Sequence, residues 1–311
     1  MQEKAEQPLV SIIVITYNSS AYVIETLESA KEQTYNNIEL IVSDDYSNDN
    51  TVEICSKWFE NNRRRFVNIK IVTFSKNTGV TGNCNRGLNA TTGEWLKFIA
   101  GDDVLLSNCI LDNIQYASTN QKVRLLFSEP ASFFDNSLKL LNIEEDGFFS
   151  QSVIHYNKTS KEQYNVLLEK NFLFSPSAFI HREVFTVLKA YDESIRGMED
   201  YPFWLKASKY GYSFYYLNKK TIKYRIRSSS ITGSPMFYQA MKKTFFKYRF
   251  LHLFRRSPFK AFDQLIYYIL IPWSLKYEYL KVFYFFSPLY IIRFFQKLTE
   301  GIIKKIRDRI K

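Results

Sequence analysis

Three acidic pairs define the chemistry open to this chain: Asp44-Asp45, Asp102-Asp103 and Glu199-Asp200. Asp102-Asp103 ends an apolar run, KFIAGDDVL, and taking even one carboxylate out of water costs several kcal/mol. A hard divalent cation relieves that cost, and oxygen ligands favour Mn2+ or Mg2+ over zinc. A solvated loop or a helix N-cap satisfies the same dipeptide without any ligand. In DDYSNDNT at 44–51, Asp49 or Asn50 can cap a helix that starts at Thr51. Asp44 and Asp45 come too early for that and are free for a ligand. Glu199-Asp200 precedes YPFW. Two acids there suit the positive end of a helix. Equally, Tyr201, Phe203 and Trp204 can desolvate a carboxylate and raise its pKa towards that of a general base.

Positioning these pairs requires a regular scaffold, and residues 9–127 supply alternating strand and helix patterns. Leu9–Thr16, Ile38–Val42, Ile69–Phe74, Trp95–Ile99 and Val123–Ser128 read as buried strands. Helices are expected at Val23–Ala30, capped by Ser19 or Ser20 with Ile24 on the apolar face, at Thr51–Glu60, at Gly79–Asn89 and from about Ser107. The alternation implies an α/β fold with a mainly parallel, doubly wound sheet, in which ligands bind beyond the carboxyl ends of the strands. Two of those ends carry the Asp pairs. Further on, a helix is expected near Lys161–Lys170, a strand over Phe172–Ile180 and a helix near Glu183–Lys189. Another helix should run from the Glu199-Asp200 pair to a C-cap at Gly211, followed by two strands, Phe214–Leu217 and Thr221–Ile226.

Over roughly residues 8–232 the sequence resembles glycosyltransferase family 2, whose members have the GT-A fold. The matching segments are VSIIVITYN at 10–18, ETLESAKEQTYNNIELIVSDDYSNDNT at 25–51, NTGVTGNCNRGLNATTGEWLKFIAGDD at 77–103, GMEDYPFWLKASKYG at 197–211 and KYRIRSSSIT at 223–232. The resemblance implies a nucleotide-diphosphate sugar as donor, a UDP-sugar in particular. Ile15, Thr16 and Tyr17 would pack beside the base, with Asp44 close by. Asp45 would accept a hydrogen bond from a uracil-type ring nitrogen. Asp102 would hold the ribose and Asp103 the Mn2+ or Mg2+ that bridges the phosphates. Asp200 would be the base of an inverting transfer, and Glu199 would orient the acceptor or merely cap. Three positions depart from the family pattern. Ala100 replaces the first Asp of Asp-x-Asp-Asp, and Asn83-Cys84-Asn85 stands where Ala-Arg-Asn is frequent, with Arg86 expected to point elsewhere. Tyr224-Arg225-Ile226-Arg227 replaces Tyr-Arg-x-His. Arg225 and Arg227 suit either a diphosphate or a solvated strand face.

The charge is concentrated at one end. Residues 241–311 hold 16 basic and 4 acidic side chains, against 26 and 27 in the first 240, so the net charge of +11 resides wholly in that segment. Its apolar blocks are too short to span a bilayer, are interrupted by Asp263, Lys276, Lys281 and Arg293, and are bent or broken by Pro272 and Pro288. Helices lying in an anionic membrane interface fit best, and a helical subdomain or dimer interface is the alternative. The expected layout is a catalytic domain over 1–235, with a nucleotide-sugar half 1–128 and an acceptor half 129–235, followed by a helical membrane-associating extension over 236–311. No nucleic-acid recognition module is visible. Three cysteines without metal or disulfide spacing, and a polar start without a signal peptide, suit a cytoplasmic protein peripheral to the inner face of the membrane. The leading expectation is transfer to a saccharide or lipid-linked saccharide in surface polysaccharide synthesis. The alternative is a non-catalytic nucleotide-sugar-binding or scaffold protein of such an assembly.

Overall fold

The structure is a computed structural model and describes residues 7–134, 153–226 and 234–274. It divides into two compact units, Met1–Phe237 and Tyr238–Lys311.

The first unit is an α/β fold of the GT-A type, built on an eight-stranded sheet of order β3-β2-β1-β4-β7-β6-β8-β5. Strands β1 (Val10–Thr16), β2 (Ile38–Asp44), β3 (Asn68–Val72) and β4 (Trp95–Ala100) are mutually parallel. Only two strands oppose the general direction: β7 (Phe179–His181), wedged between β4 and β6 (Leu125–Phe134), and the two-residue β5 (Val104–Leu105), paired with β8 (Phe214–Ile226). β1 and β2 are buried along almost their whole length. That explains why both are rich in Val, Ile and Leu, with the buried polar Ser11 and Glu39 bonded to each other (2.6 Å).

Side chains alternate between the two faces of the sheet. Ile12 and Val14 face a core shared with α1 (Val23–Lys31), α2 (Thr51–Asn62) and α4 (Cys109–Thr119). Ile13 and Ile15 face α3 (Gly79–Asn89). Gly87 makes the α3 contact possible, because a Cβ there would lie 2.6 Å from Cγ2 of Ile13. The sheet is therefore covered on both sides, as the alternation implies.

Several local expectations need correction. α1 starts at Val23 with neither Ser19 nor Ser20 capping it through a side chain, because Tyr22 occupies the N-cap position; Ile24 lies exposed, outside the apolar stripe. Phe172–Ile180 is not a strand: Pro176 sits in a 3-10 turn, Ser175–Ser177, and only the short β7 follows. The two expected strands at 214–226 are one continuous strand, β8. β6 runs past Ser128 to Phe134, with its register against β8 shifting between Ser128 and Pro130. α5 (Ser160–Leu167) opens with a capping box between Thr159 and Glu162, and α6 (Arg182–Leu188) follows β7 directly. α7 (Asp200–Tyr210) ends at Gly211, whose φ of 110° is the left-handed cap expected there.

The described part of the second unit is helical. α8 (Pro235–Thr244) leads through a π-helical turn, Phe245–Arg249, into α9 (Phe250–Arg256) and α10 (Pro258–Ser274). Pro272 lies in the last turn of α10 and does not break it. Among the described residues no helix is long and apolar enough to cross a membrane. Lys276, Lys281, Pro288 and Arg293 lie outside the described residues, as does Arg227.

Candidate active site

The turn after β1 and the loop after β2 are tied into one surface. The Asn18 amide donates to Ser47 Oγ (2.8 Å), and the Asn48 amide donates to Asn18 Oδ1 (2.9 Å). Asn18 adopts the left-handed region, φ 50°, which asparagine tolerates. Ile15 is half-buried, Thr16 is buried, and Tyr17 turns outward at 49% exposure. Tyr46, on the adjoining loop, is 50% exposed. The sequence reading passed over Tyr46, yet its ring is as open to a flat ligand as that of Tyr17. Beside these turns, Asn50 holds the N-cap position of α2 without a side-chain cap, while Asp49, one residue earlier, accepts the Thr51 amide (3.0 Å) and the Ser20 amide (3.1 Å).

Asp44 and Asp45 are both buried and both saturated. Thr16 Oγ1 (2.9 Å), Ser47 Oγ (2.5 Å) and the Ser47 amide (2.9 Å) all donate to Asp44. Asp45, 2% exposed, receives the amides of Thr78 (2.9 Å) and Gly79 (2.7 Å), Thr78 Oγ1 (2.6 Å), and Arg86 Nη2 in an ion pair of 3.2 Å. A carboxylate has about four lone-pair sites, so a nucleobase reaches Asp45 only if one of these donors yields. Arg86 makes the longest of the contacts.

Arg86 is the clearest correction. It points into the site, donating also to Asp44 O (3.1 Å) and stacking over Phe74 with 4.9 Å to the ring centroid. The neighbouring departures from the family pattern are structural. Asn83 Nδ2 bonds Thr16 O (3.1 Å) and Ser43 O (2.9 Å), which fixes the ends of β1 and β2 side by side. Asn85 exchanges hydrogen bonds with the backbone of Tyr191 (3.0 and 2.9 Å) and reaches Glu193 (2.8 Å), in the segment leading to α7.

Asp103 is held differently. Its Oδ1 accepts the Arg225 amide from β8 (2.8 Å), and among the described residues no donor reaches Oδ2. The carboxyl is 2% exposed, and burial, reinforced by the charge of Asp102, pushes its pKa up to about 8 against the pull of the Arg225 amide. Arg225 is no solvated strand residue. It is buried, donates through Nε to Asp102 O (2.7 Å), pairs with Glu25, and lies 4.8 Å over the Tyr22 ring.

Among the described residues no group of three His, Cys, Asp or Glu side chains is arranged to hold a metal. One buried, charge-averse carboxylate with an oxygen in hand still fits Mn2+ or Mg2+. Such ions take one or two protein carboxylates and complete their shells with phosphate and water.

Glu199 and Asp200 open α7, both partly exposed. Burial raises the pKa of each, and the charge of Asp200 adds to the shift at Glu199. Asp200 Oδ2 accepts Ser175 Oγ at 2.5 Å. Cys84 on α3 is buried, and burial first, then the charges of Glu199, Asp200 and Asp45, push its thiol well above the usual range.

The sequence and the fold match known proteins. The sequence model of glycosyl transferase family 2 matches residues 11–188. The chain belongs to that family. Relatives include TuaG of Bacillus subtilis, a putative teichuronic acid biosynthesis glycosyltransferase, 25% identical over 243 residues that cover 78% of this chain and 88% of TuaG. WfaP of Escherichia coli, a UDP-Glc:alpha-D-GlcNAc-diphosphoundecaprenol beta-1,3-glucosyltransferase, is 24% identical and covers 73% of this chain and 80% of its own. Among solved structures, residues 1-349 of S. aureus TarS bound to UDP-GlcNAc superpose with a TM-score of 0.59 at 21% identity, covering 76% of this chain and 65% of that one. The mannosyltransferase PcManGT of Pyrobaculum calidifontis, bound to GDP-Man and Mn2+, gives 0.62 at 17% identity, covering 81% and 65%. The chain thus spans slightly less than two thirds of these solved neighbours.

Proposed function

We propose that the chain is an inverting glycosyltransferase. It moves a hexosyl or N-acetylhexosaminyl group from a UDP-sugar to a saccharide or lipid-linked saccharide acceptor of surface polysaccharide synthesis. The observation that carries this reading is the pair of buried carboxylates beyond the ends of parallel strands: Asp45 after β2, and Asp103 after β4, the latter holding one backbone amide. The base would lie against Ile15, Thr16 and Tyr17, with Tyr46 a further surface, and would meet Asp45 by displacing Arg86. Asp102 would hold the ribose. Asp103 would hold the Mn2+ or Mg2+, which supplies positive charge to the departing diphosphate. Asp200 takes the proton of the acceptor hydroxyl as that oxygen attacks the anomeric carbon, and its raised pKa suits a base working near neutrality. Glu199, at the N-cap of α7, would orient the acceptor. Arg225 would reach a phosphate only after leaving Glu25, and Arg227 remains a candidate contact from outside the described residues.

Relatives bearing polysaccharide names support the acceptor class. The test is UDP release from UDP-glucose and UDP-N-acetylglucosamine with Mn2+ present. Asp103→Ala and Asp200→Asn should each lower it by at least about a hundredfold, and undiminished release in both variants sinks the reading.

The second unit supports an anionic membrane surface as partner, on the inner face of the cytoplasmic membrane. Phe246, Phe250, Phe254 and Phe262 form a chain of ring contacts of 6.1, 5.9 and 5.6 Å. All but Phe250 rank with Phe259 among the exposed large apolar residues, and Arg255 and Arg256 are adjacent in sequence. Aromatic rings beside guanidinium groups suit a headgroup layer. Full-length protein should sediment with phosphatidylglycerol vesicles at low salt and not with phosphatidylcholine vesicles. Phe254→Glu with Phe259→Glu should weaken that binding about tenfold or more; equal sedimentation with both lipids, or no loss in the variant, removes the lipid assignment.

A further inference from the structure

Resting on the reading of Asp200 as base, we propose that Ser175 is a positioning residue that fixes this carboxylate, and that Trp204 sets the direction in which the Ser175 hydroxyl points. The geometry is a short chain of hydrogen bonds. Trp204 Nε1 donates to Ser175 Oγ (3.0 Å), and Ser175 Oγ lies 2.5 Å from Asp200 Oδ2. An indole nitrogen only donates, and a hydroxyl carries one proton. With the indole hydrogen aimed at its oxygen, Ser175 has its own proton to give to Asp200. Oδ2 is thereby pinned and the carboxylate keeps one orientation, leaving Oδ1 aimed in a constant direction.

Each part of the chain is anchored. Asp200 and Trp204 stand four residues apart on α7, so they share one helix face. Trp204 is buried, with Phe127 5.2 Å and Phe203 5.4 Å away, centroid to centroid. Ser175 opens the 3-10 turn, and that turn is clamped from the sheet. Lys97 on β4 is fully buried and donates to Pro176 O (2.7 Å) and Ala178 O (3.3 Å). Ser177 Oγ accepts the Ser128 amide (3.2 Å) and donates to Phe174 O (2.8 Å). The strand that ends in Asp102-Asp103 therefore also fixes the turn that orients Asp200.

Ser175 opposes the burial that raises the Asp200 pKa, because its proton favours the ionised form. The other titratable groups facing Asp200 are Glu199, Cys84 from α3 and Tyr191 from the preceding loop. Burial first, and then Glu199 and Asp200 for the thiol and Cys84 ahead of those carboxylates for the phenol, push both well above their usual ranges, so both stay neutral at working pH. The donor that adjusts Asp200 is thus Ser175, aided by the backbone amides of α7.

The experiment follows the Asp200 carboxyl by carbon-13 NMR in Asp-labelled full-length protein, with its signal assigned by its loss in Asp200→Asn. Ser175→Ala should move the titration midpoint of Asp200 to higher pH, Trp204→Phe should move it the same way by less, and Ser175→Thr should restore it. In parallel, UDP release from UDP-glucose or UDP-N-acetylglucosamine in Ser175→Ala should fall about tenfold at acidic pH and recover at alkaline pH, the loss expected for one hydrogen bond to a charged group. An unmoved or lowered midpoint in Ser175→Ala overturns the proposal. Should that variant fail to fold, an unmoved midpoint in Trp204→Phe does the same. Failure of the base reading itself appears separately, as undiminished release in Asp200→Asn.

Discussion

The two Asp-Asp pairs, which stand at or just after the ends of the strands on either side of β1, are the same dipeptide in opposite environments. Asp44 and Asp45 are surrounded by hydroxyl, amide and guanidinium donors, and all are satisfied within the protein. Asp103 is as deeply buried as Asp45, yet receives one backbone donor, and its pKa is driven up to about 8. Burial alone therefore does not mark a ligand site. What distinguishes Asp103 is burial without compensation, which leaves it in need of a proton or a cation. The first pair is satisfied by the protein's own donors, whereas Asp103 of the second holds a single backbone amide.

Substitutions at the two pairs should diverge, and the largest effect on stability belongs to Asp45. Asp45→Ala removes the carboxylate partner of the largely buried Arg86 and the acceptor of the Thr78 amide and hydroxyl, so urea unfolding should show a loss of about 3–5 kcal/mol. A loss no larger than that of an exposed substitution breaks the comparison.

Asp103→Asn should act in the other direction. A carboxyl whose pKa is about 8 when folded, against 3.8 when free, favours the fold while it is protonated. That stabilisation is complete below the free value and is lost as pH rises towards 8. In metal-free buffer Asp103→Asn should therefore match the parent in acid and exceed it by roughly 2–4 kcal/mol in alkali, read as melting temperature across pH. Curves that stay parallel across the range contradict the account of Asp103. The smallest effect is at Asp44, where Asn keeps the shape and one acceptor oxygen. Asp44→Asn should cost only about 1–2 kcal/mol, and a larger cost in urea unfolding would place Asp44 beside Asp45 as an electrostatic centre.

Much of the scaffold was legible because it depends on local pattern. Val10–Thr16 is mostly apolar on both faces and could be little other than a central strand, and the stretch 79–89, expected to contain a helix, forms α3. The misreadings came from long side chains and distant partners. Arg86 was expected to point away because its Cα faces elsewhere. Helical side chains lean towards the N-terminus, and a guanidinium on a long stem spans the distance back to Thr78 and Asp45. Arg225 pairs with Glu25, a residue 200 positions away that no spacing rule connects to it. Ser175 looked like part of a strand, and only the folded chain brings it to Asp200.

One helix deserves a last consequence. The amide end of α3 meets Asp45, Asn83 binds the ends of β1 and β2, and Asn85 grips the segment before α7. Adding or deleting a single residue inside α3 would turn everything beyond it by about 100°, so these ties could not all be kept. Donor cleft and base are in this sense geared to one shaft, and the length of α3 is less free to drift in evolution than its surface chemistry.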